Sequence, residues 1–226
     1  MRVIEPYVEI RPFHGKEFMQ RIEEAGRTCY KSEGKITNES YWDFIEKIIR
    51  SGHHSVLEHE KITVRIICDR GISHEIVRHR LAAYSQESTR YCNYTDERFG
   101  REITVINPFF FKDNSLIVGG KFALWKQGCE WAESTYFSLL DAGATPQEAR
   151  SVLPNSLKTE IVVTYNLREW RHFFSLRAAK PAHPQMQQIA IPLLLFMKNQ
   201  LAPVFRDIEF NKDFPIEYYA EIEMRK

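Results

Sequence analysis

The sequence predicts an α+β fold, a central and mostly antiparallel sheet flanked by helices. Three observations lead there. β-branched runs such as Ile161 to Tyr165 are short, few and scattered. Stretches with apolar residues at three- and four-residue steps fill most of the remaining chain. Strands and helices mix without the strict alternation of a parallel α/β sheet. The chain has 226 residues, a length suited to one domain. No repeat, low-complexity segment or linker divides it, so residues 1–226 are read as a single domain.

Taken in order, Val3 to Ile10 is a short strand, stopped by Pro12. Gly15 to Tyr30 is helical through Phe18, Ile22 and Ala25. A second helix runs from about Asn38 to Arg50, capped by Thr37 or Asn38, with Trp42, Ile45, Ile48 and Ile49 on one side. Ser51 to His59 is polar, histidine-rich and opened by Gly52, so it reads as a loop. Ile62 to Cys68 alternates as a strand, and Gly71 to Arg80 is a short helix with Ile72, Ile76 and Val77 as its stripe. Leu81 to Tyr94 has no clear period. Glu102 to Ile106 is a strand ended by Asn107-Pro108. Lys121 to Leu140 is a long amphipathic helix. Thr145-Pro146-Gln147-Glu148 is a helix start, with a capping threonine, proline in the first turn and glutamate closing a capping box. Ile161 to Tyr165 is a strand, Leu167 to Arg177 a helix with Trp170, Phe173 and Phe174 as core. Pro184 opens a last helix, about Gln185 to Gln200, which Pro192 should kink or split.

Charge and composition exclude several classes. Lys and Arg total 31 against 30 Asp and Glu, a formal net charge of +1. A global electrostatic grip on nucleic acid or an anionic membrane is not expected, and anion binding must come from local arginines. No run of about 18 apolar residues suggests a transmembrane helix. Cys29, Cys68, Cys92 and Cys129 form no C-x-x-C pair, so a thiolate zinc site has no support. A cytoplasmic protein with reduced thiols is expected.

The chemistry concentrates in Arg78-His79-Arg80, the polar run Tyr84-Ser85-Gln86-Glu87-Ser88-Thr89 and a third arginine, Arg90. Cations at a helix end and polar residues in a loop are ordinary. Guanidinium forks flanked by hydroxyls and amides nevertheless suit a nucleotide better than a bare anion.

Arg78-His79-Arg80, seven residues and then Ser88, continued as Ser88-Thr89-Arg90-Tyr91, closely resembles the signature of flavin-dependent thymidylate synthases. The likeness extends to Ser51-Gly52-His53 with Glu58-His59, to Ala149-Arg150 with Leu153-Pro154, and to Asn166 followed by Leu176-Arg177-Ala178. It covers roughly residues 15 to 200 in the same order.

The resemblance implies conversion of deoxyuridylate (dUMP) to thymidylate, with methylenetetrahydrofolate as carbon donor and NADPH reducing a bound FAD. It implies a homotetramer whose active sites combine several subunits. Carried onto this chain, it places Arg78, His79 and Arg80 at FAD, with Arg78 also near the nucleotide. Ser55, Asn166 and His172 would reach the flavin from neighbouring subunits, and His53 would lie beside its open face. Gln86, Glu87, Ser88, Thr89, Arg90 and Arg150 would line dUMP, with Gln86 also near the cofactor. Arg177 would favour ionisation at the uracil ring, a role suited to a permanent cation in a dry site. The chain departs from the family at Glu75, where glutamine is usual and which would face uracil or ribose, at Ala83 and Ser85, at Gln86 where glutamate is common, and at His172 where asparagine is frequent. No glycine-rich dinucleotide fingerprint is present; Gly119-Gly120 lacks the third glycine.

Three other readings of these residues compete with the resemblance. A metal hydrolase built on His53, His54, Glu58 and His59 suffers from spacing, since residues five apart do not share a helix face. No metal is expected. A cysteine nucleophile would have to be Cys92. A nucleotide- or RNA-binding module would use Tyr84, Tyr91, Tyr94 and Phe99 as stacking surfaces, against the counter-charge of Glu87, Asp96 and Glu97.

Overall fold

The computed structural model describes residues 1–92, 94–96, 100–114 and 120–225; the expectations that involve Glu97, Phe99 and Gly119 lie outside the described residues. Seven strands and eight α-helices are described. The strands are β1 (Arg2–Ile4), β2 (Tyr7–Ile10), β3 (Lys61–Asp69), β4 (Ala82–Gln86), β5 (Thr104–Ile106), β6 (Lys158–Asn166) and β7 (Glu221–Met224). The helices are α1 (Gly15–Tyr30), α2 (Tyr41–Arg50), α3 (Arg70–Ile76), α4 (Lys121–Asp141), α5 (Pro146–Ala149), α6 (Leu167–Arg177), α7 (Pro184–Gln200) and α8 (Ala202–Phe205). A five-stranded sheet has the order β4-β6-β3-β2-β7, and β1 and β5 form a separate pair.

The β1–β5 pair is parallel, in register from Arg2 opposite Thr104 to Ile4 opposite Ile106. The strand arrangement is therefore mixed, which corrects the expectation of a mostly antiparallel sheet. A parallel pair joins strands across a long crossover, and strands of 3 residues are too short to show the continuous apolar run that marks buried parallel strands. The mixed α and β character itself is as expected.

The chain divides into two compact units. Unit 1 comprises Met1–Tyr7, Ile66–Arg78 and Ser85–Ile161. Its core gathers Ile103, Val105, Cys129, Tyr136, Phe137, Ala149 and Leu157. Unit 2 comprises Val8–Arg65, His79–Tyr84 and Val162–Lys226. Its core holds Ile22, Ile45, Leu57, Val64, Tyr165, Trp170, Phe173 and Phe174. The aromatic stripe of α6 is core as expected, and the Trp170 indole N–H donates to the Ile62 carbonyl at 3.1 Å.

Several boundaries moved for identifiable reasons. The first predicted strand is two strands, broken where Pro6 cannot donate to a ladder. α2 starts at Tyr41, with Ser40 at the cap position in place of Thr37 or Asn38. The histidine-rich loop contains a 3₁₀ turn, His54–His59. α3 is capped by Asp69, whose Oδ1 accepts from Ile72 N at 2.7 Å, and it ends at Ile76, so Arg78-His79-Arg80 lies beyond it.

β4 occupies the stretch that had no period. Its alternate half-buried residues are Ala82, Tyr84 and Gln86, and the polar ends of the last two are hydrogen-bonded, so hydropathy could not reveal the alternation. α7 passes Pro192 without interruption. Proline removes the N–H that would reach the Gln188 carbonyl, and the Ala220 N–H donates there instead at 2.9 Å.

Candidate functional site

In unit 1 the polar run after β4 is built around three anchored side chains. Gln86 Nε2 donates to Ser73 Oγ at 2.9 Å and to Thr159 Oγ1 at 3.2 Å. Glu87 Oε2 accepts from Lys158 Nζ at 3.0 Å, and Lys158 also bonds Glu160. Burial acts to lower the Lys158 pKa, but hydrogen bonds and charge from Glu160 and Glu87 outweigh it, so the ammonium is held above its ordinary value. Thr89 is buried, and Arg150 Nη1 reaches its hydroxyl at 3.5 Å. Ser88 ends the run in a tight turn: its carbonyl accepts from Tyr91 N and Cys92 N, and its Oγ from Arg90 N at 3.3 Å. Among the described residues the one hydrogen bond of the Ser88 hydroxyl is this one from a backbone N–H.

Arg78 and Arg90 are exposed and enter no ion pair among the described residues. Arg90 lies over the Tyr91 ring at 5.5 Å, and Arg78 donates its backbone N–H to the Glu75 carbonyl at 3.3 Å. Unit 1 thus offers solvent-facing guanidinium groups beside an ordered polar turn. That is a suitable surface for a phosphate with sugar or base polar atoms attached.

In unit 2 the centre is His79, which is 4% exposed. Its Nδ1 lies 2.8 Å from Glu169 Oε1, and Arg177 Nε donates to its Nε2 at 3.2 Å. Its ring packs edge-on to Phe173 and His172, with centroids at 5.1 and 5.4 Å. The Tyr84 hydroxyl donates to the His79 carbonyl and lies 2.9 Å from the Tyr165 hydroxyl, which therefore donates in turn. Burial lowers the His79 pKa, with Arg177 and His172 adding to the shift and Glu169 opposing it. Burial raises the pKa of both tyrosines, which stay neutral donors.

Asn166 is the N-cap of α6: its Oδ1 accepts from Glu169 N at 2.8 Å. His53 and Ser55 are exposed, and His53 Nδ1 is 3.2 Å from the Tyr30 hydroxyl. Arg80 is exposed and without an ion pair among the described residues. His172 lines a cavity of about 1100 Å³ with His54, Leu81, Ser175 and Phe210. The cations on its wall are matched by acids: Arg168 pairs with Glu58, Arg171 with Asp207 and Lys180 with Asp213.

Unit 1 therefore brings together Gln86, Glu87, Ser88, Thr89 and Arg150, and unit 2 brings together His79, His172 and Arg177. Glu75 is half-buried near the end of α3, and its carbonyl accepts from the Arg78 N–H at 3.3 Å. Sequence reasoning missed Glu169, Lys158, Tyr84 and Tyr165 as supports of these groups. A mid-helix glutamate and a strand lysine carry no local signal; only their partners 90 and 71 residues away make them notable.

The rivals fare as follows. The metal-competent set among the described residues is His79, Glu169 and His172, not the His53–His59 loop. There both His79 nitrogens are already hydrogen-bonded, Nδ1 to Glu169 and Nε2 to the Arg177 guanidinium. Cys92, the thiol of the cysteine reading, is half-buried; Cys68 and Cys129 are buried thiols with raised pKa values, Cys129 to about 11, which suits them to packing rather than attack. No helix among the described residues is long and apolar enough to cross a membrane.

Comparison with known proteins converges on one family. Residues 14–204 match the family described as thymidylate synthase complementing protein. A flavin-dependent thymidylate synthase of Geobacter sulfurreducens is 36% identical over 190 residues, covering 81% of this chain and 78% of that protein. One from Pyrococcus furiosus is 32% identical over 199 residues, covering 87% and 79%. A crystal structure of the UMP/dUMP methylase PolB from Streptomyces cacaoi, bound with 5-Br dUMP, superposes with a TM-score of 0.74, covering 91% of this chain and 96% of that one. At 20% identity that likeness speaks for the fold.

Proposed function

The chain belongs to the thymidylate synthase complementing protein family, and on that premise we propose that it makes thymidylate from dUMP by flavin-dependent reductive methylation. Methylenetetrahydrofolate donates the carbon, and NADPH with one proton supplies the reduction. Thymidylate, tetrahydrofolate and NADP⁺ are the products. When bound, FAD supplies the two-electron chemistry that no side chain performs.

The residues fit these ligands. dUMP presents one phosphate, and FAD two phosphates and a flat ring. Exposed guanidinium groups without acidic partners are what phosphates require, and Arg78, Arg80 and Arg90 are such groups among the described residues. The paired cations of the unit 2 cavity are less suited to a diphosphate, so the cavity is assigned to ring or folate surface beside His172. Arg78 and Arg80 are assigned to FAD, with Gln86 near both ligands. His53, Ser55, Asn166 and His172 are assigned to the flavin as well, the last three from neighbouring copies in a homotetramer. Both ring nitrogens of His79 are engaged, so its role beside the cofactor is to hold Arg177. Gln86, Glu87, Ser88, Thr89, Arg90 and Arg150 are assigned to the nucleotide, and Glu75 to its uracil or ribose. The assembly is assigned to the cytoplasm.

The single observation that carries this reading is Arg177 with its Nε anchored on a buried neutral imidazole. A cation whose plane is fixed before substrate arrives stabilises negative charge developing on a uracil carbonyl without reorganising. Ring activation then needs no cysteine. The test is anaerobic NADPH oxidation by the yellow holoenzyme with and without dUMP, followed by product analysis with folate present. Thymidylate formation with one NADPH consumed per product supports the assignment. A colourless protein, or reduction without methylated product, refutes it.

A further inference from the structure

We infer that Glu169 is a positioning residue of the reaction, which sets the tautomer of His79 and thereby the attitude of the Arg177 guanidinium. The inference rests on the role proposed for Arg177.

The hydrogen bonds leave one arrangement. A guanidinium N–H can only donate, so the His79 Nε2 that receives Arg177 Nε carries a lone pair. A neutral imidazole then holds its proton on Nδ1, where the Glu169 carboxylate accepts it at 2.8 Å. The opposite tautomer would set an Nε2–H against the Arg177 Nε–H, two donors face to face, and the guanidinium would have to turn away. The carboxylate excludes that tautomer because it can only accept.

Glu169 is itself held. It is 7% exposed, its backbone N–H is fixed by the Asn166 cap at 2.8 Å, and it lies one turn into α6, whose last residue is Arg177. The His79 peptide is fixed from its other side by Tyr84 and Tyr165. Buried acceptor, imidazole and guanidinium thus form a line, with the cation at its outer end.

The test uses the flavin-loaded enzyme. Glu169→Met keeps side-chain length and the backbone cap but removes the acceptor; Glu169→Gln keeps an acceptor without charge. Glu169→Met should lower kcat about ten- to a hundredfold, with the KM for dUMP nearly unchanged, and Glu169→Gln should recover part of the loss. Combined with Arg177→Ala, Glu169→Met should cost nothing further, because its effect passes through the residue already removed. In the unmodified enzyme, ¹⁵N spectra of labelled histidine, with His79→Gln assigning the signal, should show His79 as the Nδ1–H tautomer at neutral pH. An Nε2–H or doubly protonated His79 overturns the inference, as does Glu169→Met with normal kcat or with losses that multiply in the double variant. Should Arg177→Ala alone turn over normally, the role of Arg177 fails and this inference with it.

Discussion

Replacing Lys158 by methionine tests whether the proposed nucleotide end of unit 1 is electrostatically poised as its contacts imply. Lys158 Nζ bridges Glu87 Oε2 at 3.0 Å and Glu160 Oε1 at 2.5 Å, with side chains 18%, 14% and 27% exposed. The two carboxylates also belong to segments tied together by the Glu87 N–H donating to the Glu160 carbonyl at 2.9 Å. Methionine fills the same length without charge and leaves two anions roughly 5 Å apart, worth about 3 kcal/mol of repulsion at an effective dielectric of about 20. Partial exposure lets the side chains turn to water, which cuts the net cost to about 1–2 kcal/mol. Repulsion raises carboxylate pKa values in the folded variant, so its deficit is full at neutral pH and shrinks as pH falls through about 4. Urea denaturation at pH 8 and near pH 4 measures the stability term. Calorimetric titration with dUMP at pH 8 should show about tenfold weaker binding, since a net anion then sits beside the proposed phosphate site. An unchanged urea midpoint at pH 8, or an equal deficit at both pH values, refutes the reasoning.

Asn166→Ala should lose about 1 kcal/mol of stability with the α6 cap. Asn166→Asp should restore it, so flavin loss that persists in the aspartate variant, read by absorbance, reports the proposed cofactor contact rather than the cap. Arg90→Ala should change the unfolding free energy by no more than about 0.5 kcal/mol, since the side chain is exposed and enters no ion pair among the described residues. It should weaken dUMP binding about tenfold or more through a lost charge-assisted hydrogen bond, and unchanged affinity counts against the assignment. The pKa of His79 is lowered in the fold, so the unfolded chain takes up the proton first as pH falls. Stability should be full above about pH 6.5 and decline below it, whereas turnover of the folded enzyme should hold further down and fall only as pH passes the lowered pKa of His79. His79→Gln should flatten the stability profile in that window, and a profile that stays as steep sinks the assignment.

How much was legible depended on how locally each feature is encoded. α1 and α6 run over the predicted residues, because a helical stripe is written at three- and four-residue spacing and the ends carry their own stop signals. The capping box at Thr145 and Glu148 formed as read, yet α5 is only Pro146–Ala149, since a start signal does not say how far a helix continues. β4 escaped notice because tyrosine and glutamine fill its inner positions.

The candidate site divides in the same way. Arg78-His79-Arg80, Ser88 and Arg177 were recognisable because fixed residue types at fixed short spacing form a signature, and family membership followed from it. What only the tertiary structure decided is which of these side chains are held and by what. Glu169 meets His79 and Lys158 meets Glu87, while Ala220 supplies the donor that keeps α7 whole past Pro192. The strength of a buried hydrogen bond depends on a partner brought within about 3 Å. Nothing in the local pattern around Glu169 or Lys158 encodes what the folded chain will carry to that distance.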